Sequence, residues 1–543
     1  MYKLKSLLFI AAVCFLSPEL SAKTQADKAI EDKVLLKSMC PEPTELDPQL
    51  ATGLPEKTVL LALFEGLLNV DPKDCTACPG LAKSWDISED GTSYIFHLRE
   101  NAQWSDGTPL NAEDFVFSAQ RILSPRLASG LSSFFLPLKN AKAYQSGELQ
   151  DFSQVGIQAL NPYTLRLSLE QPLPYFLQYL ASSAWYPVPK HLILKHGLED
   201  ERHNTWTHPS HFISNGPFRL KSWKIGQALI AEKNPFYWDA PSVELNAIHF
   251  ISINDLISEE RAFRSGQIHL TEALPLGKYK GLKKKQAPEL FEAPALGTYC
   301  YAFNTQKKPF DDKRVRLAFS LVMNRQLLVE RVVGGGKIPA YAFTPPHTAG
   351  YSPEAKIEED MQKAKDLLSE AGYPEGKGFP KVRLLINSSD NHRQIAEVFQ
   401  SVWLKELGIK VELVIEEWKV FLHSRKNYDF EIVRANWMGD YLDPHAFLEV
   451  YLSNSPNNWS RWQSEAYDSL IAESNKKTDT QERYALLQEA EKLLLEEMPL
   501  LVLYHFNTLN LMDPRVKGWY PNILNLHPYS HVSFEETDQE APL

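Results

Sequence analysis

The chain has 543 residues, 44% of them apolar and 11% aromatic, with 57 Lys and Arg against 68 Asp and Glu. That length exceeds what one hydrophobic core normally organises, so at least two lobes with a cleft between them are expected. The mildly acidic balance argues against nucleic acid as a partner: the one dense cationic run, Lys283-Lys284-Lys285, reads as a solvated loop or helix end.

The N-terminus carries Lys3 and Lys5, an apolar run from Leu7 to Leu16, and the small-residue end Leu20-Ser21-Ala22. That order is a secretory leader, residues 1–22, and the run is too short to span a bilayer. The mature chain is expected to start at Lys23 and to be soluble. Lipid attachment at Cys14 is the lesser alternative, because Val13 fits poorly the small residue such processing prefers. Export would place Cys40, Cys75, Cys78 and Cys300 in an oxidising compartment, so a structural disulfide is expected, either Cys75–Cys78 or one of them with Cys40. A single CxxC without further ligands is a weak metal signal.

Further along, Tyr94, Phe96 and Leu98 alternate with Ile95, His97 and Arg99, a strand entered through the Asp90-Gly91 turn. Asn111, with Asp114 three residues on, predicts an N-capped helix AEDFVFSAQRIL. TLRLSLE, from Thr164, reads as another strand. KVRLLINSS and KVELVIEEW, on either side of the helix HRQIAEVFQSVWLKELG, give strand-helix-strand with Gly408 as the stop. Helices are also predicted over Lys356–Ala371 and Gln481–Glu497, their apolar stripes facing a core. The alternation indicates an α/β architecture with mixed sheets. The tail after Glu535 is acidic and expected to be disordered.

Familiar catalytic signatures are absent from the sequence: no GxSxG, no HExxH, and VVGGGKIPA lacks the spacing and hydroxyl of a phosphate cradle. Glu416 and Glu417 are adjacent and point to opposite faces. His203, His208 and His211 lie in a Pro-containing loop and read as surface rather than metal ligands. No enzyme, metal or cofactor is expected.

One segment stands apart. RANWMGDYLDP places Arg434 and Asp440 six positions apart around an apolar, aromatic stretch. Opposite charges at the two ends of such a segment either pair internally or await a ligand charged at both ends.

The blocks LAKSWDISEDGTSYIFHLRENAQWSDGTPLNAEDF, SNGPFRLKSWKIGQALIAEKNPFYWD and KKPFDDKRVRLAFSLVMNR resemble the periplasmic oligopeptide-binding proteins, the family 5 solute-binding components of ABC importers. The resemblance implies a two-lobed periplasmic binding-protein fold of the type II, three-domain oligopeptide-binding subtype, with a hinged cleft. It divides the chain into domain I (23–64, 189–296 and 507–543 with the tail), an inserted domain II (65–188) and domain III (297–506). It implies a monomer in the periplasm that delivers an extended oligopeptide to inner-membrane permease subunits.

By the same resemblance Asp440 receives the peptide α-amine, Arg434 the carboxylate of a short peptide and His392 that of a longer one. Gly53 and Leu54, with Asn436, Trp437 and Met438, are the edges that pair with the ligand backbone. Trp437 is expected on the cleft wall and Trp418 in the core. This sequence also departs from the family. Gly297 and Met438 stand where relatives carry a cystine, and Cys300 nearby has no evident partner. Val333 stands where relatives carry a lysine, leaving Arg331 as a nearby cation. Leu131 stands at a pocket tyrosine. The departures keep open a narrower ligand, a murein peptide. A nickel-chelate or haem carrier and an exported peptidase are the rivals of other classes.

Overall fold

The computed structural model describes residues 23–535. The leader, Cys14 and the tail beyond Glu535 lie outside them.

Three sheets organise the chain. In the first, Val34–Met39 runs parallel to Ala247–Ser252, which continues antiparallel through Ala228–Lys233 to Phe218–Lys224. The second is an antiparallel sheet in the order Ala82–Ile87, Ser93–Leu98, Thr164–Ser168, Ile157–Asn161. Its predicted alternation holds, with Tyr94, Phe96 and Leu98 all buried. The following helix, Ala112–Leu123, starts at a reciprocal capping box in which Asp114 answers the Asn111 N–H.

The third sheet is mixed and seven-stranded. Its strands Val382–Asn387 and Val411–Glu416 are parallel, joined by the helix Asp390–Leu407, which ends on Gly408 in the left-handed region at φ 71°. At its centre Leu290–Phe303 pairs antiparallel with Leu500–Leu511, with register shifts between Pro294 and Thr298 and between Tyr299 and Cys300. Ile432–Arg434 and then Trp437–Met438 pair on the other edge of Leu290–Phe303. Two single bridges, Lys37 to Leu270 and Leu270 to Met512, tie the far end of these long strands to the first sheet.

Three expectations are corrected. The helix expected from Lys356 begins at Met361, capped by Asp360. The residues before it are held extended because Ile357 N–H donates to Tyr341 O and Glu359 accepts from the Arg325 N–H. All four described cysteines are free. The CxxC turn is closed by backbone bonds instead, Cys75 N–H to Asp71 O and Asp71 N–H to Thr76 O. Burial pushes the Cys75 and Cys78 thiols up to about 11. Trp418 is exposed rather than core. It opens the helix Trp418–Lys426 and stacks on Phe421, 5.7 Å between centroids, and Phe421 takes the buried position.

Candidate functional site

Arg434 ends the strand Ile432–Arg434, opposite Tyr301, and that interior place in the sheet leaves it only 6% exposed. Its Nη1 donates to Asn436 Oδ1, its Cζ lies 5.5 Å from the Phe421 centroid, and its Nε has no partner. No carboxylate lies within ion-pairing distance among the described residues. Burial accordingly lowers the guanidinium's pKa, opposed by the hydroxyls of Tyr299, Tyr504 and Tyr301 around it. An uncompensated buried cation is costly, so a protein retains one where something anionic arrives.

His392 stands in the first turn of the helix Asp390–Leu407, its Nδ1 3.1 Å from the Tyr299 hydroxyl. Burial, then the charge of Arg434, brings its pKa down to about 4, so the ring is neutral at physiological pH. Arg425, which the sequence reading did not single out, shares the neighbourhood. Its Cζ is 3.8 Å from the Trp459 centroid and 5.3 Å from that of Phe421, and burial followed by Arg434's charge lowers its pKa to about 10. It too meets no carboxylate among the described residues.

At the other end, Gly439 N–H donates to Leu296 O, and Asp440 follows it. Half of the Asp440 side chain, 51%, is accessible, yet surrounding protein raises its carboxyl pKa; accessible and hemmed in together describe a cleft wall. Lys57 Nζ lies 3.9 Å from Asp440 Oδ1 and holds that pKa down. Lys57 belongs to the helix Leu54–Leu63, whose N-cap is Gly53, so this pair links the helix that Leu54 opens to the chain that follows the strand Trp437–Met438. Leu54 and Met438 are exposed and Asn436 is half-buried. Trp437 is half-buried, with its indole N–H donated to Ala446 O at 2.6 Å.

Other positions fall differently. Arg331 is exposed, and no hydrogen bond or ion pair joins it to these residues. The nearby cation is instead Lys337, whose ammonium donates to Asn507 O at 3.0 Å and lies 5.8 Å from the Phe506 centroid. Burial lowers its pKa to about 8. Leu131 is buried. Gly297 and Met438 pair across the sheet, and the methionine sulfur fills the space a Gly297 Cβ would need. His208 and His211 share Ser210, His211 stacks on His196, and no group of three or more metal-ligating side chains occurs among the described residues.

The family model for bacterial extracellular solute-binding proteins, family 5 (middle), matches residues 76–459. The chain belongs to that family. The periplasmic murein peptide-binding protein MppA of Escherichia coli is 38% identical over 90% of both chains, and the periplasmic oligopeptide-binding protein OppA of the same organism is 37% identical, also over 90% of both. The unliganded open form of MppA superposes with a TM-score of 0.79 at 37% identity, covering 93% of this chain and 98% of that one. Haemophilus influenzae OppA in complex with RPPGFSPFR gives 0.76 at 29% identity, over 93% and 99%. This solute-binding protein therefore has the two-lobed periplasmic binding-protein fold of the oligopeptide-binding subtype. Within the described residues no helix is long and apolar enough to cross a membrane.

Proposed function

We propose that this solute-binding protein captures short peptides in extended form and passes them to the permease of an ABC importer, without chemical turnover. The carrying observation is the charge arrangement around Asn436–Met438: Arg434 is buried without a counter-ion and Asp440 is exposed in a cleft. A peptide zwitterion supplies the complement at both ends. Its carboxylate would pair with Arg434 through charge-assisted bonds and its α-ammonium with Asp440. Gly53, Leu54, Asn436, Trp437 and Met438 would pair with its backbone, which every peptide shares. His392, being neutral, would meet a longer peptide's carboxylate as a hydrogen-bond donor rather than a cation. The proposed division is domain I at 23–64, 189–296 and 507–543, domain II at 65–188 and domain III at 297–506, with a monomer working in the periplasm after loss of the leader. The comparison proteins named for peptide binding support the reading.

A second reading has its own support. Arg425 beside Arg434 makes a site for two negative charges, which suits a ligand carrying a side-chain carboxylate next to its terminal one. Murein peptides are of that kind, and MppA is named for them.

The test is to express residues 23–543, denature the protein and identify what it releases by mass spectrometry. Varied short peptides support general capture, and one dominant murein peptide supports the second reading. A metal complex or no peptide overturns both.

A further inference from the structure

Asp440 accepts no hydrogen bond from any described protein group, and its one cationic neighbour is Lys57. The separation of 3.9 Å is an ion pair without hydrogen-bond contact, so both carboxylate oxygens stay free for a ligand. Lys57 is fixed at its root, its N–H donating to Gly53 O in the first turn of its helix, but its side chain is one-third accessible and has room to advance. Closing on a ligand strips water from Asp440. An anion stripped of water and left unpaired is strongly disfavoured, so a site relying on the ligand's ammonium alone would reject any ligand lacking one. With Lys57 beside it, Asp440 is not left alone.

We propose that Lys57 broadens the ligand class to peptides with a blocked N-terminus, by serving as the counter-ion of Asp440 when the ligand has no α-ammonium. The inference rests on the peptide-capture reading and deepens it. With a free-amine peptide, the α-ammonium and Lys57 share the carboxylate. With an N-acyl peptide, Lys57 moves the remaining ångström and takes it over, and the acyl carbonyl stays in the open part of the cleft. No covalent step is involved.

The experiment offers ligand-stripped protein a pool of tripeptides with free amines and the same pool N-acetylated, and quantifies captured species by mass spectrometry. Wild type is expected to hold acetylated members within roughly 10-fold of their free-amine counterparts. Lys57→Met is expected to widen that ratio to about 100-fold or more, the scale of an unpaired buried charge, while still capturing free-amine peptides. Lys57→Arg, which keeps the charge, should restore it. Rejection of the acetylated pool by wild type while the free-amine pool binds would overturn the proposal and leave peptide capture standing. So would an unchanged ratio in Lys57→Met. If wild type holds neither pool, the peptide-capture reading falls and this proposal with it.

Discussion

Arg425 and Arg434 flank the same phenyl ring, with their guanidinium carbons 5.3 and 5.5 Å from the Phe421 centroid, and neither has a carboxylate partner among the described residues. Burial lowers both guanidinium pKa values, and the charge of Arg434 lowers that of Arg425 further. The aromatic face recovers a part of this through cation–π attraction. An arriving anion recovers the rest.

Arg434→Met should therefore separate stability from function. Removing an uncompensated buried charge is expected to raise the melting temperature of the ligand-free protein by at least about 1 °C. The same change should weaken peptide binding at least ~30-fold, since charge-assisted bonds contribute on the order of 2 kcal/mol. Calorimetry on refolded, ligand-stripped protein reads both. A lower melting temperature with unchanged affinity would make Arg434 a structural residue.

Asp440→Asn keeps the side chain's shape and removes its charge. Free-amine peptides should bind about 10- to 100-fold more weakly, the worth of a charged hydrogen-bonded contact. Because half of the side chain is accessible, the melting temperature of the ligand-free protein should hardly move. Equal affinity for wild type and variant would remove Asp440 from the amine site.

The Gly297–Met438 pair predicts a non-additive double substitution. A Cβ at Gly297 collides with the Met438 thioether and crowds the Phe506 ring. Gly297→Ala is expected to destabilise the protein by about 1–3 kcal/mol, the usual result of overpacking. In the Met438→Ala background most of that loss should disappear. Additive losses in urea unfolding would show that the contact is not the cause.

Glu491 sets a pH dependence. It is buried, accepts from the N–H groups of Phe343 and Thr344 at 3.0 and 2.8 Å and from the Tyr351 hydroxyl at 2.9 Å, and burial pushes its carboxyl up to about 7. The folded carboxyl thus holds its proton where the unfolded one, near 4.3, has lost it. Its stabilising contribution is complete below the unfolded value and is lost as pH rises through about 7. Relative to Glu491→Gln, wild type should lose melting temperature between pH 5.5 and pH 8. A constant difference across that range would count against the assignment.

What was readable in the sequence is what short-range rules determine. The Asn111–Asp114 cap, the alternation through Tyr94, Phe96 and Leu98, and the Gly408 stop depend on neighbours within a turn or a strand. Arg434 and Asp440 drew notice because charge inside an apolar run is locally anomalous. Lys57 and Arg425 drew none: each is an ordinary lysine or arginine on a helix, and only long-range packing sets one beside Asp440 and the other beside Arg434. Trp418 misled for a related reason, since residue type favoured burial while the helix's rotation gave the core position to Phe421. The cysteines misled because the compartment suggested a bridge, whereas the Cys75 turn is closed by backbone bonds.

The strands Leu290–Phe303 and Leu500–Leu511 carry one further consequence. One end of their shared ladder reaches the first sheet through Leu270 and Met512, and the other lies at the centre of the third. The largest of the three buried apolar clusters among the described residues includes residues from Leu35 to Val532. Fraying either half therefore unzips hydrogen bonds that belong to the other, and the molecule should melt in one cooperative transition despite its length. A copy damaged in either half would then be lost whole, and would not persist as a half-unfolded receptor that holds peptide and delivers none.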